Sequence, residues 1–130
     1  MPKAEGREFT FDDESAIRTD FLETIPYTGN TQFVTYETTE FSAVCPFSGL
    51  PDYGKLIIEY VPNHMIVELK SLKYYLISYR PVGIYQEAAT NRLFTDLFDL
   101  LNPRYLRLVT RYNTRGGIDT QCEMSKGTKP

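Results

Sequence analysis

The sequence predicts an α+β fold with one antiparallel sheet and two helices on one of its faces. Residues 55–61 alternate in polarity as a strand does, helical apolar spacing fills the middle of the chain, and 130 residues suit one domain. Hydrophobic residues make up 42% and charged residues 24% of the chain, as in globular domains. We expect residues 31–130 to form this single domain and residues 1–30 to form a polar N-terminal arm.

The first half of the domain is predicted to contain strands separated by a loop. Residues 31–41 are rich in Thr, Val, Tyr and Phe, which favour a strand. Residues 44–54 contain two prolines and two glycines, which predicts a loop that places specific side chains. Residues 55–61 alternate in polarity and residues 64–68 follow a Pro-Asn turn, so these segments are predicted to pair as a hairpin. Within the arm, one short helical turn is predicted over residues 15–21.

Two helices and two further strands are predicted in the second half. Apolar residues from Leu69 to Tyr79 recur every three or four positions, until a proline and a glycine end the helix. A second helix is predicted over residues 86–101, where Asn-Pro follows. Residues 105–112 and 118–123 are predicted strands, followed by a polar tail that we expect to be loose. An aromatic-rich sheet with one uncovered face and open edges favours association, so we expect an oligomer.

The composition argues against several classes of function. The net charge is -3 without a basic run, so sustained contact with nucleic-acid backbones is not expected. No apolar run approaches a membrane span, and the N-terminus lacks the apolar stretch of a secretory signal. Cys45 and Cys122 are too few and too far apart for a disulfide framework, which indicates a reducing, cytoplasmic setting.

Metal and histidine chemistry have little support in the sequence. The single histidine, His64, lies at a predicted turn, where a solvated side chain is the favoured interpretation. A metal site needs three or four ligands, and neither a Cys-x-x-Cys nor a His-x-x-x-His pair occurs, so no metal ligand is predicted. The turn Arg115-Gly116-Gly117 is too short for a Walker loop or a dinucleotide fingerprint. Arg115 can either pair with a phosphate or simply be exposed.

Cys45 and Asp52 are the sharpest candidates for chemistry, because both lie in the predicted loop. An unassisted thiol titrates near pH ~8.5, and an adjacent acid is useful when it supplies protons to an adduct while the sulfur attacks. A small buried cysteine is the alternative interpretation. Glu68 and Glu87 can receive the N–H edge of a heterocycle or favour a helix N-terminus. Lys70 can anchor a phosphate or be solvated.

Residues 68–75 resemble the signature of the NADPH-dependent 7-cyano-7-deazaguanine reductases. The segment reads Glu-Leu-Lys-Ser-Leu-Lys-Tyr-Tyr and agrees with that signature at every position. The likeness continues from about residue 30 to the end, with unrelated motifs in matching order and spacing. These motifs are the loop Cys45-Pro-x-Ser-Gly-x-Pro-Asp52, Gln86-Glu87-Ala88 with Asn91, Asn102-Pro103, Arg115-Gly116-Gly117 and Gly127-Thr128-Lys129. The length resembles the shorter, single-module form of the family.

The resemblance implies a tunnelling fold, in which a four-stranded antiparallel sheet with two helices assembles into a multi-subunit barrel. It implies a homo-oligomer with active sites between subunits and residues 31–130 as the catalytic domain. The implied reaction reduces 7-cyano-7-deazaguanine with NADPH to the aminomethyl compound used to make queuosine in tRNA. By role, the implied residues are the nucleophile Cys45 and proton donor Asp52; the substrate contacts Val67, Glu68, Leu69, Gln86 and Glu87; and the cofactor contacts Leu69, Lys70, Arg115 and Gly116.

The implied chemistry suits these residue types. Thiolate addition converts a nitrile into a thioimide, and reduction to an amine takes four electrons, so two NADPH must act in turn. We expect Asp52 to deliver protons, with a pKa raised by burial near the sulfur. One departure from the family pattern is Gln86, where a histidine is usual. A glutamine can replace a hydrogen bond but cannot carry protons.

Two alternatives are weighed against this activity. Other enzymes of the same fold include zinc-dependent GTP cyclohydrolases, which need more His and Cys ligands than this chain has. They also include the archaeal relative that adds ammonia to the nitrile on tRNA, which lacks the signature at residues 68–75. A non-catalytic base-binding protein is the second alternative, and the presence of both Cys45 and Asp52 argues against it.

Overall fold

The computed structural model describes residues 3, 5–7 and 9–130. In chain order, two short 3-10 helices (Glu14–Ala16 and Thr19–Phe21) precede β1 (Thr24–Pro26), β2 (Val34–Val44), β3 (Pro51–Val61), β4 (Met65–Val67), α1 (Leu69–Ile77), α2 (Gln86–Leu101), β5 (Tyr105–Arg115) and β6 (Ile118–Gly127). The main sheet has the order β2-β3-β5-β6, and every neighbouring pair is antiparallel. The predicted α+β class and four-stranded antiparallel sheet are confirmed.

The core lies between this sheet and the two helices. Alternate residues of β3 face the helices, and Leu56, Ile58 and Tyr60 are buried there. The same alternation buries Leu106 and Leu108 on β5, whose partners in register lie on β3. On α2 the leucine stripe that predicted the helix is the buried side. Full burial of each such side chain stabilises the fold by about 1.5–3 kcal/mol.

The opposite face of the sheet is rich in charged side chains. Arg107 on β5 forms ion pairs with Glu59 on β3 and with Glu123 on β6. On the next pair of strands, Lys55 Nζ lies 3.3 Å from Glu37 Oε2. Such partly exposed pairs contribute little to stability, about 0–1 kcal/mol each, but they keep the face hydrated. The uncovered face is therefore less apolar than the composition predicts, and the open edges of β2 and β6 are the stronger feature favouring association.

The predicted hairpin between residues 55–61 and 64–68 is wrong. β4 pairs instead with β1 of the arm, where Ile25 lies opposite Ile66. β3 takes both of its partners, β2 and β5, from more distant parts of the chain. At the centre of the sheet, the backbone groups on both edges of β3 are hydrogen-bonded and its apolar face is buried. A hairpin between residues 55–61 and 64–68 alone cannot do this.

The loop predicted over residues 44–54 is shorter than expected. Only residues 45–50 form a loop, because β3 already begins at Pro51. A proline is tolerated as the first residue of a strand, and Gly54 lies within β3 opposite Tyr112. Asp52 is therefore held by a strand rather than by a loop. The tail is likewise more ordered than predicted, since β6 extends to Gly127.

The described part of the N-terminal arm packs against the core. Ile17 and Leu22 are buried in the same apolar cluster as the sheet and helices. The single helical turn predicted over residues 15–21 is replaced by the two 3-10 helices. Residues 1, 2, 4 and 8 of the predicted arm lie outside the described residues. No helix in the described ranges is long and apolar enough to cross a membrane.

A partly buried polar network ties the arm to both helices. The hydroxyl oxygens of Tyr75 and Tyr79 lie 2.7 Å apart, and Tyr75 donates to Asp96 Oδ2 at 2.7 Å. The same carboxylate oxygen accepts from Arg92 Nε at 2.9 Å and from Thr19 of the arm at 3.0 Å. Burial is the main cause that raises the pKa of Tyr75 and Tyr79, so both stay neutral donors.

Replacing Asp96 by Ala should lower the free energy of unfolding by about 2–4 kcal/mol, because Tyr75 and Arg92 lose a charged acceptor in a mostly buried site. Urea denaturation followed by circular dichroism measures this change. Asp99→Ala, at an exposed position of the same helix, is the matched control and should change stability by less than about 0.5 kcal/mol. Equal losses in the two variants would contradict a role for the network.

Candidate active site

Five of the predicted site residues line a single cavity of about 300 Å³. Four different elements supply them: the loop after β2, the start of β3, the N-terminus of α2 and the end of β5. These residues are Cys45, Asp52, Gln86, Glu87 and Arg115. Because a thiol, carboxylates and a guanidinium converge on one opening, the cavity has the composition of an active site.

The loop of residues 45–50 surrounds the thiol of Cys45 with backbone donors. The Cys45 N–H donates to Leu50 O at 2.8 Å, and the Gly49 N–H donates to Cys45 O at 2.8 Å, which closes the loop. The backbone N–H groups of Ser48 and Phe47 are the largest causes that lower the pKa of the Cys45 thiol, and burial opposes them. Cys45 is also only partly buried. An accessible thiol held by N–H donors fits a nucleophile better than a core residue.

Asp52 forms an ion pair with Arg115 across the cavity. The Asp52 side chain is 11% exposed, whereas the Arg115 side chain is 51% exposed at the end of β5. Asp52 Oδ1 faces this guanidinium directly. The raised pKa expected for Asp52 from burial near the sulfur stays a prediction.

Gln86 is buried and anchors α2 to the sheet. Its Nε2 donates to the backbone oxygens of Thr110 at 3.1 Å and Thr120 at 3.2 Å, on β5 and β6. The next residue, Glu87, is exposed and lines the cavity from the first turn of the helix, where the helix dipole favours a carboxylate. The glutamine that departs from the family pattern thus makes the hydrogen bonds that hold Glu87 in place.

The other predicted site residues, 67–70, do not line this cavity. Val67 is buried and pairs with the arm, while Leu69 is exposed. Glu68 is the N-cap of α1, and its carboxylate accepts from the N–H groups of Lys70 at 2.9 Å and Ser71 at 2.7 Å. These two donors are the largest causes that lower the pKa of Glu68. Glu68 and Lys70 line a separate cavity of about 510 Å³.

The cavity at Cys45 is also lined by residues that the sequence did not single out. The further lining residues are Pro46, Tyr85, Tyr112, Asn113, Ile118 and Thr120. The Tyr112 hydroxyl is buried and has no hydrogen-bond partner among the described residues, so it can donate to a ligand. Burial raises the pKa of Tyr112. Its only sequence signal was its place at the end of a predicted strand, which does not distinguish a cavity wall from the core. Gly116, the remaining predicted cofactor contact, lies beside Arg115 in the turn between β5 and β6 and does not line the cavity.

The family follows from comparisons with known proteins. A family model described as QueF-like protein matches residues 51–130. A NADPH-dependent 7-cyano-7-deazaguanine reductase from Thermotoga petrophila is 59% identical over 125 residues, which cover 95% of this chain and 91% of that protein. The chain belongs to this family. The family resemblance predicted from residues 68–75 and the loop at Cys45 is confirmed.

A second reductase and one solved structure are also similar to this chain. A reductase with the same name from Caldicellulosiruptor bescii is 49% identical over 121 residues, which cover 92% of each chain. A solved structure of an archaeosine synthase QueF-Like in the apo form covers 80% of this chain and 100% of that chain, with a TM-score of 0.66 and 20% identity. At this identity the likeness concerns the fold, and it confirms the predicted tunnelling fold.

Proposed function

We infer that this chain reduces the nitrile of 7-cyano-7-deazaguanine to an aminomethyl group, as a step of queuosine biosynthesis. It is an oxidoreductase, and its hydride donor is NADPH. The observation that carries the inference is the geometry of Cys45: its own loop favours the thiolate, and it shares a cavity with Asp52 and Glu87 in a chain of this family. We also infer a cytoplasmic location, where NADPH and a reduced thiol are both available.

Cys45 supplies the nucleophile. Its sulfur attacks the nitrile carbon, one C–N π bond opens, and the thiol proton ends on the nitrogen, which leaves a thioimide on Cys45. Asp52, which lies beside Arg115 in the same cavity, can take the thiol proton and pass it to the nitrogen. This addition involves no net oxidation or reduction, so it needs no cofactor and can be observed separately.

The two reductions that follow need protons from the chain. When bound, NADPH supplies one hydride per molecule, so two molecules are used in turn for the four electrons. Asp52 is the group placed to deliver the accompanying protons to the nitrogen, and the Cys45 sulfur leaves when the carbon–sulfur bond breaks. Glu87 can accept two N–H groups of the heterocycle, which fixes the nitrile against the thiol. Lys70 and Arg115 offer cationic groups that suit the cofactor's phosphates.

We propose that a second copy of the chain completes each site. The substrate and cofactor residues at 67–70 lie away from the Cys45 cavity, and Leu69 and Lys70 are exposed. Among the described residues, no strand pairs with the outer edges of β2 and β6. Joining those edges between copies would build a barrel from residues 31–130 and can bring residues 67–70 of one copy to the cavity of the next.

Hybrid oligomers should regain activity from two inactive variants. Cys45→Ala removes the nucleophile. Lys70→Glu reverses the exposed charge proposed for the cofactor's phosphates, at a position outside the Cys45 cavity. Each variant alone should therefore be nearly inactive. Random co-assembly should restore about a quarter of wild-type activity, because a quarter of the sites then combine an intact Cys45 with an intact Lys70 from another copy. NADPH oxidation by the co-expressed, separately tagged variants measures this. No recovery in verified hybrids would contradict a shared site.

The covalent step tests the function directly. The purified protein is incubated with 7-cyano-7-deazaguanine without NADPH, and its intact mass and near-ultraviolet absorbance are recorded. We expect a stoichiometric adduct on Cys45 that disappears in Cys45→Ala and is discharged by NADPH with release of the amine. Binding seen by calorimetry without any adduct would instead indicate a base-binding protein that lacks the chemistry.

A further inference from the structure

The N-terminal arm crosses the nucleophile loop. We call residues 9–12 the N-terminal strap. The Phe9 N–H donates to Ser48 O at 3.0 Å, inside the loop that carries the nucleophile. Farther along, Asp12 O accepts from the Gly83 N–H at 2.8 Å, in the turn that precedes α2. The strap therefore joins the two segments that carry Cys45 and Glu87 toward the cavity.

Two glycines leave room for the strap. A Cβ added at Gly49 would lie 2.2 Å from the backbone oxygen of Phe9. A Cβ added at Gly83 would lie 2.2 Å from the ring of Phe11. Gly49 also has a φ of +74°, which favours glycine by itself, but no such φ occurs at Gly83. The glycine at position 83 is therefore explained by the close approach of the strap.

The strap holds the groups that favour the Cys45 thiolate. The N–H groups of Ser48 and Phe47 are the largest causes that lower the pKa of this thiol. The Phe9 N–H donates to the Ser48 carbonyl oxygen, and the N–H of the next residue, Gly49, donates to Cys45 O. Release of the strap removes the donor to Ser48 O and leaves the loop held by its own hydrogen bonds, among them Gly49 N–H to Cys45 O and Cys45 N–H to Leu50 O. The peptide groups of residues 47–49 can then turn more easily away from the sulfur.

We propose that the N-terminal strap is a positioning element of the active site, which fixes the loop of residues 45–50 so that its N–H groups face the Cys45 sulfur. None of the described residues 9–12 lines the cavity, so the strap acts through the loop. The proposal rests on the proposed function only for the role of Cys45 as nucleophile.

Other titratable groups face Cys45 and must stay unchanged in a test of the strap. They line the cavity from β3, α2, β5 and the segment before α2, and they are Asp52, Glu87, Arg115, Tyr112 and Tyr85. Variants at residue 9 alter none of these groups. A change in the ionisation of Cys45 in such variants therefore reports the shape of its loop.

The test compares Phe9→Pro with Phe9→Ala in the full-length chain. Proline removes the N–H that bonds to Ser48, whereas alanine keeps it and removes only a half-exposed ring. The measurement is the rate at which iodoacetamide alkylates each cysteine across a pH series, resolved by peptide mass. It needs neither nitrile nor NADPH, so its result is independent of the adduct experiment. Cys122, whose thiol has its pKa raised by burial, is the reference within the same chain.

We expect Phe9→Pro to move the midpoint of Cys45 alkylation upward, toward that of a free thiol, and to slow the reaction about threefold to tenfold at neutral pH. Phe9→Ala should stay within about twofold of the wild type, and Cys122 should be unchanged in both. An unaltered midpoint in folded Phe9→Pro would overturn the proposal. Faster alkylation at every pH would also overturn it, because the strap would then only cover the loop. So would an equal effect of Phe9→Ala, because the backbone bond would then not be the link.

Discussion

Cys45→Ala should abolish nitrile reduction, with a loss of turnover of about 10⁴-fold or more, because no other described side chain in the cavity is a comparable nucleophile. Substrate binding should persist, since the contacts assigned to Glu87 and to residues 67–70 are untouched. Steady-state NADPH oxidation measures turnover, and calorimetry with 7-cyano-7-deazaguanine measures binding.

Cys122→Ala is the matched control for this loss. Cys122 lies on β6, and burial raises the pKa of its thiol, which disfavours the thiolate. This variant should keep its turnover within about twofold of the wild type. If Cys45→Ala retained substantial turnover, or if Cys122→Ala lost it, the assignment of the nucleophile would be wrong.

Asp52→Asn should lower kcat by about 10²–10⁴-fold, because an amide cannot pass protons between the sulfur and the nitrile nitrogen. KM should change much less, since the variant is nearly isosteric and the contact proposed between Glu87 and the heterocycle is untouched. Steady-state kinetics measure both effects.

The control for Asp52 is Asp119→Asn, an exposed carboxylate on β6 that bonds to Thr114 beside the same turn. It does not line the Cys45 cavity and should leave kcat within about twofold of the wild type. A kcat within about twofold of the wild type in Asp52→Asn would show that another group carries the protons. The ion pair with Arg115 would then have a purely electrostatic role.

Local sequence patterns were sufficient to predict the long helix α2 and the long strands. α2 spans Gln86–Leu101 as predicted, because an amphipathic stripe of leucines is followed by Asn102, which adopts a φ of 41°, and then by proline. The strand β3 was recognised from alternation, and β5 and β6 were also predicted as strands, although each of the three was predicted shorter than it is. Hydrogen bonds from a neighbouring strand extend a strand past the point where its own alternation stops, so its ends depend on its partners.

Pairing between strands and the position of the arm depended on tertiary contacts. Residues 64–68 carry no signal that prefers β1 over β3 as a partner, and the choice was decided by burial of β3 at the centre of the sheet. The contact between Phe9 and Ser48 joins segments that are far apart in the chain, and no periodicity reports it. A glycine that accommodates a neighbouring ring, such as Gly83, looks in sequence like any turn glycine.

The sequence by itself was enough to predict which residues are candidates for chemistry, since the motifs at Cys45, Asp52, Gln86 and Glu87 are local and have the family's order. Only the tertiary structure decided how they are arranged. It brought these residues together with Arg115 in one cavity and left residues 67–70 outside it. It also showed that the Gln86 side chain bonds α2 to the sheet. The physical reason is that residue type sets what a group can do, whereas distances, partners and burial are set by packing between segments remote in the chain.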